Sequence, residues 1–201
     1  MDSTQATFIA ARTRSVVLPD GTPLLVRPIL PDDKLMLLRA FDRLSPESRY
    51  ARFFSPMPRL SAPLLDYFTE VDYDNHFAWV ALSREANEDV GVGVARYVRL
   101  PDSSVAEAAV TVVDPYQRRG IGGFLLDALI LEALAHGIYR FEGLVLVGNT
   151  SMIAVLLRAG ARLTRDGPGM LRFEIDLPAR SRELRLSPVY DVLRAFARGE
   201  G

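Results

Sequence analysis

The sequence predicts a mixed-sheet α/β or α+β domain, with one central β-sheet flanked by helices, an N-terminal β-hairpin and a C-terminal helix. Three observations carry this. Short amphipathic segments come first, three apolar runs of strand length follow, and strand and helix patterns then alternate. The length, 201 residues, suits one domain, read as 1–201 with a helical tail over 179–201. Hydrophobic residues make up 49% of the chain and charged residues 24%, enough apolar material to bury a core.

Val16-Val17-Leu18, the turn Pro19-Asp20-Gly21-Thr22 and Leu24 to Val26 read as a hairpin. Pro31-Asp32-Asp33 opens a helix whose acidic first turn complements its dipole, with Leu35, Leu38, Phe41 and Leu44 expected on one face. Ser45-Pro46-Glu47-Ser48 is a cap with proline in the first turn, leading to a short helix bearing Tyr50, Phe53 and Phe54. Ser61 to Glu70 repeats that pattern. Strands are expected over Phe77 to Ser83, Val90 to Arg99 and Val105 to Val113, with Trp79 in the core. A helix over Ile121 to His136 ends at Gly137. Leu144 to Val147 is a strand, Ser151 to Ala159 a helix stopped by Gly160, and Ala161 to Thr164 and Leu171 to Leu177 are strands around Asp166-Gly167-Pro168-Gly169. Ser187 to Arg198 reads as a final amphipathic helix.

Composition removes several classes of function. Twenty-four basic and twenty-five acidic residues leave a net charge of −1, which argues against nucleic acid or an anionic membrane as partner. No cysteine is present, so disulfides, thiolate catalysis and cysteine-ligated metals are excluded, and two histidines, His76 and His136, do not make a histidine-rich zinc site. No metal is expected. Lys34 is the only lysine, a bias that a GC-rich genome explains better than avoidance of self-modification. Met1 to Ser15 lacks the apolar core of a secretion signal, and Gly120 to Ala135 is too short and too interrupted, by Asp127 and Glu132, to span a bilayer. A cytoplasmic location is expected.

The most informative segment is Val112-Val113-Asp114-Pro115-Tyr116-Gln117-Arg118-Arg119-Gly120-Ile121-Gly122-Gly123. A strand delivers the chain to a turn, and glycines stand where a helix begins. Backbone N–H groups there can approach a phosphate closely, the helix dipole adds a positive end, and Arg118 and Arg119 add charge at the rim. A P-loop would need lysine and a hydroxyl residue after its last glycine, where Phe124 stands. A dinucleotide fingerprint would need glycine at 125, which is leucine, although Glu142 meets its acidic condition. Close packing of helix on sheet is the structural alternative for these glycines.

Gln117, Gly120 and Gly122 after an apolar strand resemble the acetyl-CoA-binding motif of the GCN5-related N-acetyltransferases (GNAT). Asn149-Thr150-Ser151-Met152 opening a helix, with Gly160-Ala161 eleven and twelve residues after the asparagine, resembles that family's next motif. In the first half, Arg27-Pro28-Ile29, Pro31-Asp32-Asp33, Leu44 to Tyr50, Arg52-Phe53-Phe54 and Val71-Asp72-Tyr73 are similar to the bacterial protein-lysine acetyltransferases. The resemblance implies a GNAT fold and an acetyl-CoA-dependent N-acetyltransferase acting on a protein lysine. Acyl-CoA synthetases are the implied protein partner, and the chain is expected as a monomer or homodimer.

Lysine ammonium must lose a proton near the thioester. Glu107, among small apolar residues on a central strand, is the candidate general base, with partial burial expected to raise its pKa. The resemblance places the family's glutamate base here. Strand-end N–H groups at Val112 and Val113 are the expected oxyanion donors. Gln117, Arg118, Arg119, Gly120, Gly122 and Gly123 are assigned to the pyrophosphate, and Asn149 to the pantetheine or acetyl end. Many family members carry a tyrosine seven residues after the asparagine as general acid. Leu156 stands there, so no catalytic acid is named. His76 is a candidate relay, and Asp72, Tyr73 and Asp74 candidates for the substrate mouth. The competing readings are a small-amine acetyltransferase and a non-catalytic acyl-CoA sensor.

Overall fold

The computed structural model describes residues 3–18, 20–101 and 103–185. Eight strands form one sheet in the order β1-β2-β3-β4-β5-β6-β8-β7: β1 (Arg14–Val17), β2 (Pro23–Pro28), β3 (His76–Glu85), β4 (Glu88–Arg99), β5 (Val105–Val112), β6 (Arg140–Leu146), β7 (Arg162–Arg165) and β8 (Met170–Asp176). Every neighbouring pair is antiparallel except β5 and β6. The helices are α1 (Ser3–Arg12), α2 (Lys34–Asp42), α3 (Pro46–Phe53), α4 (Ala62–Thr69), α5 (Ile121–Ala135), α6 (Thr150–Arg158) and α7 (Leu177–Arg185). The predicted mixed α/β class therefore holds.

A bulge on β4 decides which glycine meets which layer. Register shifts between Ala81 and Leu82, so Gly91 and Gly93 face opposite sides although two residues apart. A Cβ on Gly91 would strike Met36 of α2, and one on Gly93 would press on Ile121 and Leu125 of α5. The sheet thus separates a layer of α2 and α4 from a layer of α5. The core runs through both, with Trp79, Phe77, Tyr97 and Phe141 fully buried.

Several local expectations shift. The buried stripe of α2 is Leu37 and Phe41, continued by Leu44, while Leu35 is exposed, because spacings of four and three track the 3.6-residue turn. Asp33 makes a two-pronged ion pair with Arg27, both contacts 2.7 Å, and caps Leu30 N–H instead of serving a helix dipole. The helix α1 has no counterpart in the sequence reading, since Ile9 is its one buried residue and its apolar stripe is faint. The predicted helix Ser187 to Arg198 lies outside the described residues, whereas α7 begins directly at the end of β8.

The α1 helix is tied down by a buried carboxylate. Glu132 of α5 is fully buried and accepts from Arg12 Nε at 3.1 Å and from His136 at 3.1 Å. His136 Nδ1 lies 2.9 Å from Asp74, so the imidazolium bridges two carboxylates. The Glu132 hydrogen bond, against burial and with help from Asp74, holds His136 above its ordinary pKa. A folded-state pKa above the unfolded value of 6.5 stabilises below that value, and the gain is lost as pH rises through the folded pKa. The melting-temperature difference between wild type and His136→Gln is therefore expected to be large near about pH 6 and to shrink toward about pH 9; a constant difference across that range would show that the bridge is not charged.

Candidate functional site

Strands β5 and β6 pair only at Val105–Arg140, Ala106–Phe141 and Glu107–Glu142, and then part. Beyond that point β5 stays bonded to β4, and β6 to β8, so a gap opens between two anchored walls. The gap forms part of a groove of about 1390 Å³ whose walls include Val110, Val112, Leu146 and Asn149. One rim is α3 and the segment Pro56–Pro58, and the other is α6 with the start of α5.

Backbone polarity in the gap follows from strand alternation. Val113 N–H donates to Val92 O at 3.0 Å, so it points toward β4. Its neighbour Val112 therefore faces the gap, as does Val110 two residues earlier. The carbonyl of Val112 does so visibly, accepting from Gln117 Nε2 at 3.1 Å. Val113 is corrected on two counts: its N–H is spent within the sheet, and its side chain is buried away from the groove. Val110, which sequence reasoning missed, shares the period-two face of Val112 and was legible by that parity.

The turn that follows lines the same groove. Arg118 and Gly120 adopt left-handed φ values of 61° and 86°, turning the chain so that α5 starts at Ile121. Phe124 N–H to Gly120 O, 3.0 Å, is the first bond of the helix, so the N–H groups of 121–123 precede its ladder and carry its positive dipole end. Gly123 has a specific neighbour: a Cβ there would lie 1.6 Å from Nη2 of Arg158. The missing side chain admits the guanidinium of Arg158 to the mouth of the helix. No spacing in the sequence indicated Arg158, which arrives from the far end of α6.

Of the residues singled out earlier, Val112, Gln117, Arg118, Gly120, Gly122, Gly123 and Asn149 meet in this groove. Gln117 spends its amide on Val112 O and Ser48 Oγ, and Asn149 Oδ1 caps α6 by accepting from Met152 N–H at 3.2 Å. Arg119 is not among the lining residues and lies over the Tyr116 ring at 4.9 Å. Leu156 is buried in the core.

Glu107 stands at the last paired position before the gap, three residues and about 10 Å along β5 from Val110. It is exposed, so the expected partial burial is not found; alternation turns it outward while Ala106 and Ala108 face α5. Arg52 of α3 senses its charge: burial lowers the Arg52 pKa, and Glu107 opposes that. His76 is displaced across the sheet, opposite Val98, which itself lies opposite Glu107. Burial, then the charge of Arg96, pushes His76 down to about 4, and its Nε2 lies 2.9 Å from Arg96 Nη1. A neutral imidazole accepting from arginine is a structural partner and not a relay. The trio Asp72, Tyr73 and Asp74 also builds structure: Asp72 caps its own turn, Tyr73 O–H donates to Ile29 O, and Asp74 holds His136.

The sequence model of the acetyltransferase (GNAT) family matches residues 39–161. Acetyltransferase Pat of Mycolicibacterium smegmatis is 40% identical over 159 residues, 79% of this chain and 47% of the relative, so the chain spans about half that protein's length. Acetyltransferase PA5475 of Pseudomonas aeruginosa is 33% identical over 135 residues, 67% of this chain and 73% of the relative. The crystal structure of the GNAT domain of S. lividans PAT superposes with a TM-score of 0.75 at 35% identity, covering 82% of this chain and 96% of that one.

The two glycines at the helix mouth are expected to respond differently to alanine. Gly120→Ala forces a left-handed backbone on a residue with a Cβ and costs about 1 kcal/mol or more in denaturant unfolding. Gly123→Ala meets only the movable end of Arg158 and costs less, while displacing that guanidinium. Equal losses in the two variants would contradict this account.

Proposed function

This chain belongs to the acetyltransferase (GNAT) family, and from that membership we propose that it transfers acetyl from acetyl-CoA to a lysine ε-amine of a protein, with Glu107 as general base. The observation that carries the reading is the place of Glu107: an exposed carboxylate at the inner end of the strand gap, on a surface that a side chain presented by another protein can reach.

The residues of the groove fit the donor. Acetyl-CoA brings a pyrophosphate, an extended pantetheine arm and an activated acyl carbon. The left-handed turn at Arg118 and Gly120, the N–H groups opening α5 and the guanidinium admitted by Gly123 form a cradle for the pyrophosphate. The gap-facing backbone groups of Val110 and the N–H of Val112 supply strand-like partners for the amides of the arm, the Val112 carbonyl being held by Gln117. The volume, about 1390 Å³, suits an elongated ligand.

A lysine ammonium arrives protonated, its reference pKa about 10.4. Glu107 accepts that proton, directly or through one water, and the freed nitrogen pair attacks the acyl carbon. Gap-facing N–H groups near Val110 and Val112 stabilise the charge that forms on the acyl oxygen. The carbon–sulfur bond then breaks, sulfur leaves with the electron pair, and the second amine proton passes through solvent to the thiolate; a thiol pKa of about 8.5 makes this tolerable without a protein acid. Leu156, buried where a tyrosine acid would stand, agrees with that economy. Without cysteine, no cysteinyl acyl-enzyme intervenes. The resemblance to the bacterial protein-lysine acetyltransferases favours an acyl-CoA synthetase as acceptor, in the cytoplasm.

Thiol release from acetyl-CoA tests this, with a lysine-containing acyl-CoA synthetase and a panel of small amines as acceptors. Wild type is expected to turn over the protein, and Glu107→Gln to lose about 10²- to 10⁴-fold in rate with acetyl-CoA binding retained. Turnover of small amines alone would refute the protein acceptor. Binding without turnover on any acceptor would mark a sensor.

A further inference from the structure

Beside the groove lies a second, partly open cavity of about 60 Å³, bounded by α2, α3 and α4 on one side and by β4 and β5 on the other. Leu37, Phe41, Phe53, Phe68, Val94 and Val113 make it apolar, and two arginines, Arg52 and Arg96, are also among the residues that line it. Arg52 and Thr111 are walls of both spaces. Thr111 lies between Val110 and Val112, so the cavity adjoins the stretch of β5 assigned to the acyl end of the donor.

The arginines lack a matching carboxylate. Arg96 is 6% exposed, and its polar contacts are His76 Nε2 at 2.9 Å and the carbonyl of Phe68 at 3.2 Å, with the Phe68 ring beneath it at 4.4 Å. All three are neutral. Among the described residues no carboxylate lies within ion-pairing distance of Arg96 or Arg52. Burial and the adjacent charge of Arg52 drag Arg96 down to about 9. Holding two neighbouring guanidinium groups against an apolar cavity is unfavourable unless an anion joins them.

We propose that this cavity receives the carboxylate end of a dicarboxylic acyl group, so that the enzyme accepts succinyl-CoA as a donor. The inference rests on reading the groove as the acyl-CoA site. Succinyl exceeds acetyl by one methylene and one carboxylate. A cavity of about 60 Å³ holds roughly four to six water-sized atoms, which is the space that extension needs. The methylenes pass Thr111 into the apolar part and the carboxylate meets Arg96, with Arg52 between it and Glu107, whose charge Arg52 also senses. The transfer is otherwise unchanged: Glu107 takes one proton of the ammonium, the lysine nitrogen bonds to the thioester carbon of the succinyl group, the carbon–sulfur bond breaks, and sulfur leaves with the electron pair and gains the second amine proton through solvent.

The test measures kcat/KM for acetyl-, butyryl- and succinyl-CoA against the same lysine-bearing protein, in wild type, Arg96→Met and Ala40→Leu. Butyryl matches the chain length without the charge. Succinyl-CoA is expected to exceed butyryl-CoA at least about tenfold, and Arg96→Met to remove roughly ten- to hundredfold from succinyl-CoA while acetyl-CoA changes little. Ala40→Leu fills the cavity from α2, retains the fold, and is expected to weaken succinyl- and butyryl-CoA together while sparing acetyl-CoA. Butyryl-CoA equal to or better than succinyl-CoA in wild type overturns the proposal, as does an Ala40→Leu variant with unchanged succinyl transfer. A preference for acceptors bearing a carboxylate, without a succinyl-CoA preference, overturns it by moving the anion to the acceptor. Succinyl transfer without acetyl transfer would refute the acetyl donor and support the cavity; transfer from no donor would refute both.

Discussion

The interaction that organises this molecule is a pairing that stops. Strands β5 and β6 share a parallel ladder over three residues and then separate. Interrupting a sheet at its centre would leave backbone groups of both strands without partners, a cost that folded chains avoid. It is sustainable because each strand is bonded along its outer edge, β5 to β4 from Ala106 to Val112 and β6 to β8 from Arg140 to Leu146. The inner edges become two facing rows of backbone donors and acceptors. One acceptor, Val112 O, is taken by Gln117. Functional backbone here is produced by topology before any side chain contributes.

A single carboxylate joins two walls of the groove. Asp114 follows β5 directly, accepts from Ser45 N–H and Ser48 O–H, both at 3.1 Å, and so joins the start of α3 to the glycine turn. Gln117 reaches from the turn to the same serine at 3.2 Å. The helix on one rim and the turn on the other thus share three hydrogen bonds. Hydrogen bonds to an ionised carboxylate are the stronger kind, and losing Asp114 would leave two donors without their acceptor. This bracket fixes the start of α3, where Ser48 stands, while its end is held by Phe53 against Phe41 and Phe68.

The same contrast explains what the sequence disclosed. Strands β3, β4 and β5 and helix α5 were legible because their residues are buried on several sides and read as plain apolar runs. The glycine turn was legible because left-handed backbone restricts the residues that fit. Helix α1 was not, since Glu132, 120 positions beyond Arg12 along the chain, secures it. Asp72, Tyr73 and Asp74 looked like a polar mouth, yet each is consumed by a contact that only the fold creates. Val113 failed by one position, because a shift of one residue along a strand reverses the side its N–H faces. Arg158 was invisible for the opposite reason: its meaning lies in the absent Cβ of Gly123, a relation between two helices that no local pattern records.

The distribution of nucleophiles and charges gives the site its direction. This chain brings few nucleophiles of its own to an activated acyl group, with no thiol and a single lysine. Lys34 lies 2.6 Å from both Asp66 and Glu70, whose hydrogen bonds raise its pKa and keep its nitrogen pair occupied by a proton. Ser48, a hydroxyl inside the groove, commits its proton to Asp114 and its oxygen to Gln117. Tyr116, another hydroxyl of the groove, donates to Glu85 at 2.8 Å, and the walls otherwise carry arginines, glycines and apolar residues with the hydroxyls of Tyr50, Thr111 and Ser151. The exposed carboxylate of Glu107 stands apart from these walls, at the last position where β5 and β6 pair.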